Sequence, residues 1–172
     1  MHVRTYLLLF FVLALCPATS HAQHAVGPHL GYNTGPLGGG GEVFIGAAAH
    51  VNIASLPVVI NPALDYYVGL NGVTLLQVDA NALYPFEVNS EKFSPYAGGG
   101  LAISYVSVEG EDFGLSDFGI EIDNSYSNTD VGLNLVGGTF FNVGAIRPFA
   151  EARFTLGNGS ALSLKSGVMF AF

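Results

Sequence analysis

The sequence predicts an all-β fold: a closed, antiparallel, up-and-down transmembrane β-barrel of about eight strands, preceded by a signal peptide. Three observations predict it. First, half of the 172 residues are apolar while only 10% are charged, and 23 are Gly. A disordered chain would be charged and poor in aromatics, and a soluble globule is about one quarter charged. Second, apolar and polar residues alternate in segments of about ten residues, broken by Gly, Asn and Pro, with no convincing helical period. Third, the alternation runs to the last residue. Leu162, Leu164, Val168, Phe170 and Phe172 share one face of an extended strand, and Ser163, Lys165, Gly167 and Ala171 share the other. A terminal strand in water usually frays, whereas an aromatic at this place suits a membrane interface.

The chain opens with the marks of export. Arg4 supplies a positive start, Tyr6 to Leu15 is an apolar run, and Pro17 to Ala22 is a small, polar exit. The run is shorter than the ~20 residues a spanning helix needs. Ser20-His21-Ala22 places small residues where a signal peptidase reads, so residues 1–22 are expected to be removed and 23–172 to form the barrel domain. Leu13-Ala14-Leu15-Cys16 departs from a lipobox at Leu15, where a small residue is needed. Cleavage after Ala22 removes the single Cys, so disulfides and thiolate metal sites are not expected.

The strands follow in order. Val26 to Asn33 puts Val26, Leu30 and Tyr32 on one face, and the glycine-rich segment 35–41 after it is a loop. A phosphate-cradling loop is discounted there, because no Lys-Ser or Lys-Thr and no helix follows. In the second strand Val43, Ile45, Ala47, Ala49, Val51 and Ile53 oppose Glu42, Gly46, His50 and Asn52. After a turn at 54–57, the third sets Val58, Ile60, Leu64, Tyr66, Val68 and Leu70 against Asn61, Asp65 and Tyr67. Asn71-Gly72 is a strong hairpin signal. The fourth sets Thr74, Leu76, Val78, Ala80, Ala82 and Tyr84 against Gln77, Asp79 and Asn81. Three polar residues at spacing two would be costly toward lipid, so they mark the lumen face. Arginine at Ala80 or Leu133 is accordingly expected to be costly, and at Asn81 less so.

Pro85 to Pro95 reads as a turn, and the fifth strand begins at Tyr96. Residues 109–130 form the longest irregular segment, with carboxylates at Glu109, Glu111, Asp112, Asp117, Glu121, Asp123 and Asp130 and no Lys or Arg. The sixth strand points Val131, Leu133, Leu135 and Phe141 outward, the seventh Ile146, Ala150, Ala152, Phe154 and Leu156. Gly157 to Ser160 turns into the eighth.

Pro95-Tyr-Ala-Gly-Gly-Gly-Leu101 resembles the Pro-Tyr-x-Gly-x-Gly-Leu stretch of the small bacterial outer-membrane β-barrel family, the OmpA-like and OmpW-like eight-stranded group. Arg147-Pro-Phe-Ala-Glu-Ala-Arg153 is similar to that family's penultimate strand, and the ending to its C-terminal signature. The resemblance implies residence in the bacterial outer membrane among lipid and lipopolysaccharide, and insertion by the barrel-assembly machinery, with Phe170 and Phe172 as the assembly signal. It also implies that 109–130 is an outward loop.

Function is constrained by charge. With 13 carboxylates against 5 Lys and Arg, nucleic acid is not an expected partner, because its binding rests on cationic contacts to phosphate. Inward charges fall at Glu42, Asp65, Asp79, Glu151, Arg153 and Lys165. An eight-stranded barrel is only wide enough for side chains to fill, so these form either a paired plug or a narrow gate for small polar solutes. The acidic loop 109–130 is a solvated surface or a site for divalent cations or a partner, although its spacing is not that of an EF-hand. No catalytic constellation is apparent: His24, His29 and His50 are the only histidines after residue 22, and His50-Val-Asn52 lacks a nucleophile. No cofactor or resident metal is expected. The expectation is therefore an outer-membrane barrel with a structural, adhesive or narrow-pore role. The alternative is a periplasmic lipocalin-like carrier of an apolar ligand, which would keep apolar residues inward.

Overall fold

A computed structural model describes residues 24–34, 41–53, 55–70, 72–108, 126–143 and 146–172. The expected signal peptide, most of the glycine-rich loop and the acidic segment up to residue 125 lie outside the described residues. Eight strands follow one another: β1 (Ala25–Thr34), β2 (Glu42–Asn52), β3 (Val59–Val68), β4 (Val73–Pro85), β5 (Phe93–Val108), β6 (Tyr126–Phe141), β7 (Ile146–Leu156) and β8 (Ala161–Ala171). Each pairs antiparallel with its neighbours, and β1 closes on β8 from Ala25↔Ala171 to Thr34↔Leu162. Closure removes the free sheet edge that a bilayer could not solvate. Phe172 N–H extends the seam by donating to His24 O at 2.9 Å.

The connections define two ends. The segments 35–41, 69–72, 109–125 and 157–160 leave from one, here the loop end; 53–58, 86–92 and 142–145 leave from the other, the turn end. The 69–72 connection uses left-handed backbone at Gly69 (φ 82°) and Gly72 (φ 68°), which glycine adopts without a Cβ penalty.

Two strands begin earlier than the alternation suggests. β5 starts at Phe93 rather than Tyr96, since Phe93 to Pro95 pair with Phe141 to Thr139. β6 starts at Tyr126, and its polar opening Tyr126-Ser-Asn-Thr129 pairs with Val108 to Tyr105. A backbone ladder can run past the apolar zone, where side-chain patterning no longer reports it.

The polarity is inverted relative to a water-soluble barrel. Glu42, Asp65, Asp79, Asp130, Arg147, Glu151, Arg153 and Lys165 are the charged residues of the strands, and all lie on the inward period. Outward stand large apolar side chains such as Leu30 (61% exposed), Val131 (62%) and Leu164 (57%). Aromatics collect at the two rims of this surface, Tyr32, Tyr66, Tyr105 and Phe154 toward the loop end and Tyr84, Phe93, Phe141 and Phe170 toward the turn end. Aliphatic belts between aromatic girdles are the form that lipid and its interfaces impose on a barrel wall.

Candidate functional site

Alternation delivers a polar set to a lumen that side chains fill at mid-height, so polar groups there need partners among neighbouring side chains. At mid-height Arg153 from β7 does so twice. Its Nη1 donates to Asp65 Oδ2 of β3 at 2.8 Å and to Asp79 Oδ2 of β4, and all three side chains are wholly buried. Arg153 Nη2 lies 3.4 Å from Ser163 Oγ.

The two carboxylates are held from behind. His29 Nε2 lies 2.6 Å from Asp65 Oδ1. Asp79 Oδ1 accepts from Gln77 Nε2 at 2.8 Å and Asn134 Nδ2 at 3.0 Å. Thr155 Oγ1 donates to Asn134 Oδ1 at 2.8 Å, and Asn134 Nδ2 also reaches Asn81 Oδ1 at 3.0 Å. Such sharing fixes both carboxylates against a single guanidinium, whose planar fork suits two acceptors better than an ammonium would.

A second pair lies next to it. Lys165 Nζ of β8 sits 2.8 Å from Glu151 Oε1 of β7, its direct cross-strand neighbour. Tyr96 O–H donates to Glu151 Oε2 at 2.8 Å. Tyr96 in turn stacks on Phe140 at 4.7 Å between centroids, and Leu83, Val136, Phe149 and Met169 complete a buried apolar plug. Gly138 makes room for it: a Cβ there would stand 2.5 Å from Tyr96 Oη and 2.7 Å from Ala150 O. On the other side of the ion-paired layer Phe44, Tyr67 and Leu75 form a smaller cluster.

Of the inward charges expected from sequence, the fold thus gathers Asp65, Asp79 and Arg153 into one cluster and Glu151 and Lys165 into another. Glu42 stands apart, toward the loop end, with no ion-pair partner among the described residues. His29 also belongs to the first cluster, although it is not among the inward charges expected from sequence. Its signal was available, since Leu30 and Tyr32 face outward and period two then turns His29 and Asn33 inward. Phe170 and Phe172 are exposed at the turn-end rim.

Two cavities flank the filled middle. That at the loop end, about 300 Å³, is lined by Asn33, Glu42, Gln77, Asp130 and Thr155 among others. That at the turn end, about 580 Å³, is lined by His50, Glu87, Tyr96, Phe140 and Arg147 among others. They have no lining residue in common, and Asp65, Asp79, Glu151, Arg153 and Lys165 line neither.

No protein-family model matches the sequence, and no curated protein matches it. Solved structures do match in fold. Neisserial surface protein A aligns with a TM-score of 0.67 at 18% identity, over 89% of this chain and 98% of that one. The N-terminal β-barrel domain of Pseudomonas aeruginosa OprF aligns at 0.63 and 16%, over 88% and 99%. Ail, the attachment invasion locus protein of Yersinia pestis, aligns at 0.59 and 13%, over 88% and 97%. The fold is that of the small eight-stranded outer-membrane β-barrels.

Proposed function

We propose that this chain is an integral protein of the bacterial outer membrane whose barrel is plugged, so that it serves as a structural, surface-presenting element rather than as a pore. One observation carries the reading: a fully buried Arg153–Asp65–Asp79 cluster separates two cavities that share no wall. An open channel needs charges that water and ions can reach, and these side chains have no exposed surface. The outward apolar belt with aromatic rims supports membrane residence, and the long connections at one end support that end as the exterior.

A carrier of apolar ligands fits the interior poorly, because the mid-lumen set is ionic and packed. A hydrolytic role also lacks support. His29 and Asp65 make the base and orienting acid of a triad in outline, yet His29 Nδ1 has no hydrogen-bond partner and so holds no nucleophile. A second structure of Ail is a complex with the heparin analogue sucrose octasulfate. The acidic segment 109–130 here has no Lys or Arg, which argues against an equivalent polyanion partner and for a cationic one.

Planar-bilayer recording of the refolded protein tests the plug. Membrane insertion without unitary current is the expected result, and regular ion-selective steps that vanish on heat unfolding would overturn it.

A further inference from the structure

The loop-end cavity holds acceptors that no described residue satisfies. Glu42 and Asn33 are direct cross-strand neighbours, 8% and 6% exposed, and both line it. Among the described residues Glu42 Oε2 and Asn33 Oδ1 are buried without a hydrogen-bond partner, while Asn33 Nδ2 donates one of its two N–H groups to Tyr67 Oη at 3.1 Å. A buried carboxylate oxygen without a donor is costly enough that a native structure rarely leaves it so.

Across the cavity Asp130 stands on β6, four strands from β2 in a ring of eight and therefore opposite it. Asn128 Nδ2 and Asn158 Nδ2 hold its carboxylate at 2.7 and 2.9 Å, which fixes its position without neutralising its charge. Among the described residues no Lys, Arg or His lines the cavity. The wall between the two acids is made in part by Leu75, Val106 and Ala161.

We propose that this vestibule binds a linear alkyl-diammonium ion, one ammonium donating to Glu42 and Asn33, the other to Asp130, with the methylene chain along the aliphatic wall. The chemistry selects the class. The unsatisfied groups are all acceptors, so an anion is repelled and a donor cation is matched. Among the described residues no group of three or more His, Cys, Asp or Glu is arranged to hold a metal, and an apolar wall between two separated acids suits a hydrocarbon spacer rather than a hydrated ion. The cavity, about 300 Å³, is of the size that takes a small ligand. It is blind at its inner side, so the ion would be held and not conducted.

The test is an amide-shift titration of the ¹⁵N-labelled barrel, refolded in a zwitterionic detergent at neutral pH and physiological salt, with 1,4-diaminobutane as probe. Saturable shifts at Asn33, Glu42, Gly132 and Asn158 are expected. Glu42→Gln, which keeps shape and removes charge, should weaken binding by about tenfold or more. Asn33→Asp should tighten it. Unheated gel mobility checks that both variants are folded. A linear response without saturation, an affinity unchanged in Glu42→Gln, or the same saturating shifts with butane-1,4-diol would overturn the site. Magnesium chloride giving the same shifts with the same Glu42 dependence would overturn the diammonium assignment, since the vestibule would then be a general cation trap.

Discussion

Replacing Arg153 by Ala tests whether the lumen is held shut by charge. The guanidinium is fully buried and meets Asp65 Oδ2 at 2.8 Å and Asp79 as well. At that separation each attraction is worth about 6 kcal/mol with an effective dielectric of about 20. Most of this is offset by the cost of taking the ions out of water; none of the three residues lines either cavity. What decides the outcome is the asymmetry of removing one partner only. Two carboxylates would then face each other in a dry site, Asp65 keeping His29, and Asp79 keeping Gln77 and Asn134. The expected loss is about 3–5 kcal/mol. Replacing the whole cluster, Arg153→Met with Asp65→Asn and Asp79→Asn, leaves no uncompensated charge and should recover most of it. Urea titration in lipid vesicles, read by the mobility of unheated samples, measures both. If the parent itself conducts and Arg153→Ala stays within about 1 kcal/mol of it with altered ion selectivity, the site is wet and the plug reasoning fails.

Three further outcomes follow from the wall and its rims. Ala80→Arg or Leu133→Arg places a cation on the apolar outer face and should cost about 2–4 kcal/mol in the same titration; no loss in either would reverse the inward and outward faces. Gly138→Ala forces a methyl against Tyr96 and the Ala150 carbonyl, so about 1–3 kcal/mol of overpacking is expected, with Tyr96→Phe in the same chain failing to relieve it because the carbonyl stays. Deleting Phe172 should lower the folded yield in cell membranes while leaving refolding in detergent nearly unchanged, and an unaltered cellular yield would remove the residue from assembly.

The wall was legible in the sequence because a barrel is one residue thick and period two leaves no choice of face. Leu30, Ile45, Val78, Leu133 and Leu164 could be assigned outward without knowing any neighbour. The lumen was legible only as a set. Glu42 and Asp65 lie inward on adjacent strands, yet Glu42 opens on a vestibule and Asp65 is locked under Arg153, because the stagger between strands decides the height of each residue and no local signal encodes stagger. Asn81 shows the same gap: alternation alone rates Arg there as tolerable, but Asn81 is 2% exposed against Asn134 and the Gly100 backbone. An arginine has no volume to enter, so that expectation is corrected to a severe overpacking.

Pairing divides the lumen into groups that hold the fold and groups that face outward from it. In the middle, His29, Asp65, Asp79, Asn134, Glu151, Arg153 and Lys165 answer one another, so most of their chemistry is used up within the chain, His29 Nδ1 and Arg153 Nε excepted. At the ends it is not. Glu42 and Asn33 keep free acceptors at the loop end, while at the turn end Arg147 stacks over Phe140 at 4.7 Å and keeps a free Nε beside His50. A barrel plugged as proposed can recognise solutes only at its mouths, and these differ in chemistry, with acceptors at the loop end and Arg147 together with Glu87 at the turn end. Whatever distinguishes this barrel from others of its fold is therefore to be sought in side chains that the stability network leaves unused, and Glu42 is the first of them.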